Sequence, residues 1–178
     1  MVKIDKSMIK PGDHIYSYRN GHAYSHHGIY VGGNMVIHFT RTKQEKLHKI
    51  FKASSGGRAE HRCEICGYES KTKLGVVKTC LDCFLVDHGI YLFQYNVSKE
   101  NCVTKRPGTY SMQSCDTSDV VIRRATGLLD GKLEFGHYSL FRNNCESFAL
   151  FCTTGKAFSA QVLAACFVSL IIIGAIVL

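Results

Sequence analysis

An α+β fold with an antiparallel sheet is predicted by three features of the chain. These are several short runs rich in Ile, Val, Tyr and Phe, a Gly32-Gly33-Asn34 turn between two of them, and two capped helical segments further on. The runs are residues 14–18, 28–31, 35–39 and 90–95. β-branched and aromatic side chains suit a pleated, half-buried surface, so each run reads as a strand. Glycine and asparagine accept the positive φ of tight turns, which makes residues 28–39 one hairpin.

The first helix covers residues 120–129, with Ser118 or Asp119 as its cap and Gly131 ending it. The second covers residues 145–152, with Asn143 or Asn144 as its cap and Gly155 beyond its end. Phe148, Leu150 and Phe151 are expected to pack this helix on the sheet. Between the hairpin and residue 90 lies a segment with Lys43, Lys46, Lys49 and Lys52, then Ser54-Ser55-Gly56-Gly57, then four cysteines. Residues 41–88 therefore read as a cysteine-rich insertion in a domain spanning residues 1–156.

Residues 157–178 contain no charged side chain, and residues 162–178 are nearly all Val, Leu, Ile, Ala, Phe, Gly and Cys. About 20 apolar residues at a helical rise of about 1.5 Å cross a hydrocarbon core of about 30 Å, so the segment reads as a membrane anchor. The alternative is a buried helix closing the domain, but a core helix usually keeps a polar stripe. Lys156 and Arg142 would then stay on the cytosolic side with the folded body.

Hydrophobic residues at 46% and charged residues at 20% are ordinary for a folded chain, which argues against general disorder. The net charge of +8 favours an anionic partner, either nucleic acid or acidic headgroups. Because the basic residues are scattered, without aromatic interleaving, no nucleic acid is expected and a membrane is preferred. The first residues, Met1-Val2-Lys3-Ile4-Asp5-Lys6, lack the apolar core of a secretory signal, so the domain is expected to face the cytosol. In a reducing compartment nine cysteines serve better as ligands, nucleophile and core packing than as disulfides.

Cys145 follows Asn143-Asn144 at a predicted helix start, where free N–H groups and the helix dipole favour a thiolate nucleophile. A buried structural cysteine is the competing reading. Thiolate catalysis also needs an imidazole to accept and return a proton, and a polar group to orient it. His26 and His38 stand at opposite ends of the hairpin, where the strands bring them side by side on one face. His27 competes with His26 for that role.

Cys63-Glu64-Ile65-Cys66 and Cys80-Leu81-Asp82-Cys83 are two C-x2-C pairs. Each turn converges two thiolates, and two turns close a tetrahedral shell with no open position, so Cys63, Cys66, Cys80 and Cys83 are predicted to bind a structural zinc. Two reducible disulfides or free thiols are the alternatives. His61 and His88 stand nearby as spare ligands. Cys102, Cys115, Cys152 and Cys166 lack partner spacing and are assigned to packing. No organic cofactor is expected.

Four motifs occur in order: Pro11-Gly12-Asp13-His14-Ile15, His26-His27-Gly28-Ile29-Tyr30-Val31-Gly32, Val36-Ile37-His38 and Asn143-Asn144-Cys145-Glu146-Ser147-Phe148-Ala149. Together they resemble the lecithin:retinol acyltransferase family over most of the chain before the tail. The cysteine-rich insertion looks more like the plant branch. The resemblance implies a permuted NlpC-type papain-like fold with a zinc-knuckle-like insertion. It also implies that His26 is the general base, that His38 orients it, and that Cys145 takes an acyl group from a phospholipid as a thioester. Tyr24 matches a position where the family can place a hydroxyl near the developing oxyanion, the backbone N–H of Cys145 being the other donor. Ser147 departs from many vertebrate members, which carry histidine there.

The expected function is thus a membrane-anchored, thiol-dependent acyltransferase or phospholipase-like enzyme acting on a phospholipid or other lipid ester. Two alternatives use the same residues differently. One is a non-catalytic membrane-bound adaptor; the other is an amidase or peptidase using the same dyad.

Overall fold

The computed structural model describes residues 3–40, 62–69, 73–139 and 143–156. Six strands form one sheet: β1 (Lys3–Ile4), β2 (His14–Arg19), β3 (Tyr24–Gly32), β4 (Met35–Phe39), β5 (Val76–Cys80) and β6 (Ile90–Leu92). Their spatial order is β1-β6-β2-β3-β4-β5, and every neighbouring pair is antiparallel. Among the described residues four α-helices accompany them, α1 (Leu81–Leu85), α2 (Lys99–Cys102), α3 (Ser118–Leu129) and α4 (Cys145–Thr154), with a single 3-10 turn at Lys6–Met8. The α+β class and the antiparallel sheet match expectation.

The β3–β4 turn forms as read, with Gly32, Gly33 and Asn34 at φ of 86°, 57° and 61°. A register shift between Tyr30 and Gly32 adds a bulge just before it. Pairing of Gly28 with His38 fixes which side chains share a face. Since strand side chains alternate, Ile29, Ile37 and Phe39 face one side, where they are buried against Val121, Ala125 and Leu128 of α3 and Phe148, Ala149 and Cys152 of α4. The other side carries Ile15 and Val36 under Leu81, Phe84 and Leu85 of α1. Burying a side chain of this size contributes about 1.5–3 kcal/mol, so this packing, more than the intrinsic propensity of such short elements, holds them in place.

Within the cysteine-rich segment 41–88, residues 76–85 are built into the sheet: β5 pairs with β4 along its length, and α1 covers the second face. Residues 41–61 and 70–72, with the four lysines, lie outside the described residues. The strand expected over residues 90–95 stops at Leu92, and Gln94 makes an isolated bridge to Tyr110 instead. Cys152 packs in the core as expected, whereas Cys115 is exposed and Cys102 half-exposed, which corrects their assignment to packing. The proposed anchor, residues 157–178 with Cys166, also lies outside the described residues. Among the described residues no helix is long and apolar enough to cross a membrane.

Candidate active site

His26 and His27 are adjacent in β3 and therefore point to opposite faces of the sheet. His26 shares its face with His38 of β4: His26 Nε2 and His38 Nδ1 are 2.9 Å apart, with the rings edge to face at 87°. His38 Nε2 meets Thr79 Oγ1 of β5 at 3.2 Å, extending the chain of polar contacts to a third strand. The Phe84 ring stands 5.3 Å from each imidazole. Gly28 leaves the space for this arrangement, because a Cβ there would come within 2.7 Å of Val36 Cγ1 and 2.9 Å of Phe84 Cε2.

His27 enters a separate buried network. Its Nδ1 is 2.9 Å from His14 Nε2, and its Nε2 is 2.8 Å from Ser25 Oγ. His14 Nδ1 lies 2.8 Å from the Tyr95 hydroxyl, which in turn meets Thr153 of α4. Strand alternation thus brings His26, and not its neighbour His27, against His38, as the hairpin led one to expect.

Cys145 opens α4. Asn144 is its cap, accepting a hydrogen bond from Ser147 N at 3.0 Å, while Asn143 braces the loop by exchanging main-chain hydrogen bonds with Ser139 at 2.8 and 2.9 Å. The Cys145 thiol donates to Ser25 O at 3.8 Å and also feels the His27 N–H. It therefore lies against the main chain on both sides of His26. The thiol's hydrogen bond goes to that carbonyl and not to an imidazole nitrogen.

Burial governs the protonation of these groups. It pushes the Cys145 thiol up to about 11, against the smaller lowering effect of the His27 N–H. The expectation that the helix start would favour a thiolate is corrected on this point: at 6% exposure, desolvation outweighs the helix end. Burial, followed by the nearby His38, Arg19 and His27, holds His26 well below the ordinary imidazole range. His38 is pushed down to about 3 by burial and then by Arg19. Thiol and imidazoles are all neutral at pH 7.

Arg19 of β2 was not singled out by any motif. Its Nη1 donates to Ser17 Oγ at 2.7 Å and to Tyr18 O at 3.1 Å, and its Nη2 donates to Phe84 O. The guanidinium is close enough to interact electrostatically with Cys145, Tyr24, His26 and His38. The basic residue just ahead of the β2–β3 turn was the available signal. Tyr24 pairs with Arg19 in register and is 45% exposed, at the rim of the site. Glu146, next to the thiol, is fully buried.

The sulfurs of Cys63, Cys66, Cys80 and Cys83 lie within 4.8 Å of one another. Cys63 and Cys80 are 3.8 Å apart, and Cys66 and Cys83 are 3.7 Å apart. A disulfide needs about 2.05 Å, so these are not bonded pairs. With a Zn–S bond of about 2.3 Å, a tetrahedron of sulfurs has edges of about 3.8 Å, which these distances match. The first turn is tightened by Gly67 N donating to Cys63 O at 2.7 Å and Cys63 N to Tyr68 O at 3.0 Å. The cluster is compatible with a structural metal, and His88 is not part of it.

The chain matches the family model described as lecithin retinol acyltransferase over residues 7–158. It is 43% identical over 158 residues to Protein LEAD-SENSITIVE 1 of Arabidopsis thaliana, covering 85% of this chain and 60% of that protein. The chain thus spans about 60% of the length of the curated relative it matches.

Proposed function

Since this chain belongs to the lecithin retinol acyltransferase family, we propose that it is a thiol-dependent acyl-transfer enzyme that forms a thioester on Cys145 from a lipid ester. The observation that carries this reading is the position of the Cys145 thiol against the backbone flanking His26, with His26 in contact with His38 and His38 with Thr79.

The contacts fit a relay in either direction, and a base on His26 requires one of the two. In that one, His26 Nε2–H donates to His38 Nδ1, His38 Nε2–H donates to Thr79 Oγ1, and His26 Nδ1 is left as the base. In the first step His26 takes the thiol proton as sulfur attacks the ester carbonyl. The oxyanion forms near the Cys145 N–H, with Tyr24 at the rim and the Arg19 charge behind it. Collapse expels the alcohol, which receives the proton from His26 and leaves the thioester. Water or an amine then attacks the thioester, with His26 returning to its role as base. A neutral, desolvated thiol suits this order of events, because the proton leaves only as the bond to carbon forms.

On this reading the fold is the permuted NlpC-type papain-like arrangement. Zinc at the four cysteines is structural, since its four ligands leave no position for substrate. The uncharged residues 157–178 hold the enzyme at a membrane, where its lipid substrate is concentrated. The burial of Cys145 also favours a second reading, a non-catalytic membrane-bound adaptor.

One experiment separates the two. The full chain in detergent is incubated with phospholipid of defined acyl chain and its intact mass measured, beside Cys145→Ser and His26→Ala. An acyl adduct on the wild type that hydroxylamine removes, absent from both variants, is the expected result. No adduct across several lipids, in folded protein, would favour the adaptor.

A further inference from the structure

The four-cysteine cluster is joined to the histidine pair by residues beside its ligands. Thr79 precedes Cys80, is fully buried, and meets His38 Nε2 at 3.2 Å. Phe84 follows Cys83, is 1% exposed, and packs its ring 5.3 Å from both His26 and His38. Tyr68, two residues after Cys66, places its ring 6.2 Å from that of His38. The Phe84 carbonyl accepts from Arg19, whose charge lies near enough to act on His26 and His38. Five contacts to the candidate site thus issue from residues in or beside the two cysteine turns.

The local chain would hold these contacts poorly by itself. α1 has five residues, its start at Cys80 has no side-chain cap, and Val86 and Asp87 follow it at φ of 51° and 62°. A helix this short does not persist on its own propensity. One side of the unit is tied by β5 pairing to β4, and the other by the cysteine turns, which a shared metal would clamp together.

We propose that metal bound by Cys63, Cys66, Cys80 and Cys83 positions the catalytic histidines through Thr79 and Phe84, so that metal occupancy controls acyl transfer although the metal never touches substrate. This rests on the reading of Cys145, His26 and His38 given above. Thr79 and Phe84 are positioning residues: Thr79 holds His38 in the tautomer that accepts from His26, and Phe84 excludes water and sets the angle between the rings.

The test uses the full chain in detergent, zinc-loaded or stripped by chelation, with Thr79→Val and Cys66→Ser as variants. Three quantities are read: zinc per chain, nitrogen NMR of the His26 and His38 rings, and the rate of acyl-enzyme formation. Stripping and Cys66→Ser are expected to remove the metal, abolish the His26–His38 ring N–H signal and slow acylation at least tenfold. Thr79→Val is expected to keep one zinc per chain yet alter the His38 tautomer and slow acylation, which a Thr79 that merely supported the fold would not produce. If stripped protein unfolds, Thr79→Val still tests the link from β5 to His38.

Unchanged ring signals and acylation within twofold, in folded stripped protein or in Thr79→Val, would overturn the positioning role. Ring signals that respond to metal in a protein forming no acyl-enzyme would uphold positioning and sink the catalytic reading alone.

Discussion

Burial keeps four imidazoles neutral: His14 and His38 are each pushed down to about 3, and His26 and His27 fall well below the ordinary range. Two consequences can be measured. At neutral pH the unfolded chain and the folded protein both carry these rings uncharged. Below the unfolded value of about 6.5 the unfolded chain takes up protons that the folded rings do not, so stability falls as pH falls. Thermal melts between pH 7 and pH 4.5 are expected to show this decline, and a flat melting temperature would refute it. The Cys145 thiol, pushed up to about 11, sets the second expectation. Its alkylation by iodoacetamide should rise about tenfold per pH unit from pH 7 to 10, since only the thiolate reacts. A plateau below pH 8 would instead indicate a thiolate–imidazolium pair. The sequence indicated Cys145, His26, His27 and His38, but not His14 and not their burial, and burial decides their charge.

The β3–β4 hairpin is the element on which the site depends. Its turn was legible because Gly32-Gly33-Asn34 carries the conformational requirement locally. Its role in the site rests on Gly28, whose missing Cβ lets Val36 and Phe84 close over the strand. Gly28→Ala is therefore expected to lower stability by about 1–3 kcal/mol through overpacking, and to move the Phe84 ring from the histidines. Denaturant unfolding gives the first quantity, and loss of less than about 0.5 kcal/mol would show that the sheet relaxes freely around the new methyl. β5, like β1, α1 and α2, was not read from sequence. Val76-Val77-Lys78-Thr79-Cys80 alternates like a strand, with Val77 and Thr79 buried, but the flanking cysteines drew the segment into a metal-binding insertion. The two readings hold together, since Cys80 ends the strand and belongs to the sulfur cluster.

At the scale of the whole molecule, the folded domain and the uncharged residues 157–178 have separate tasks on the proposed reading. Deleting residues 157–178 is expected to release the protein from phospholipid vesicles in a flotation assay while leaving its zinc content and melting temperature unchanged. Flotation that persists after deletion would assign membrane binding to the domain itself. The sequence by itself determined the α+β class, the hairpin, the helix that Cys145 opens and the paired cysteine turns, because each is encoded by residues within a few positions of one another. Only the tertiary structure decided that the thiol lies buried against Ser25 O, and that Arg19, Thr79 and Phe84 adjoin the candidate site. Those contacts join residues 120, 65 and 41 positions apart for Cys145–Ser25, Arg19–Phe84 and His38–Thr79 respectively. They arise from strand order and register, which are set when the sheet's two faces bury their apolar side chains together and cannot be read from any local run of residues.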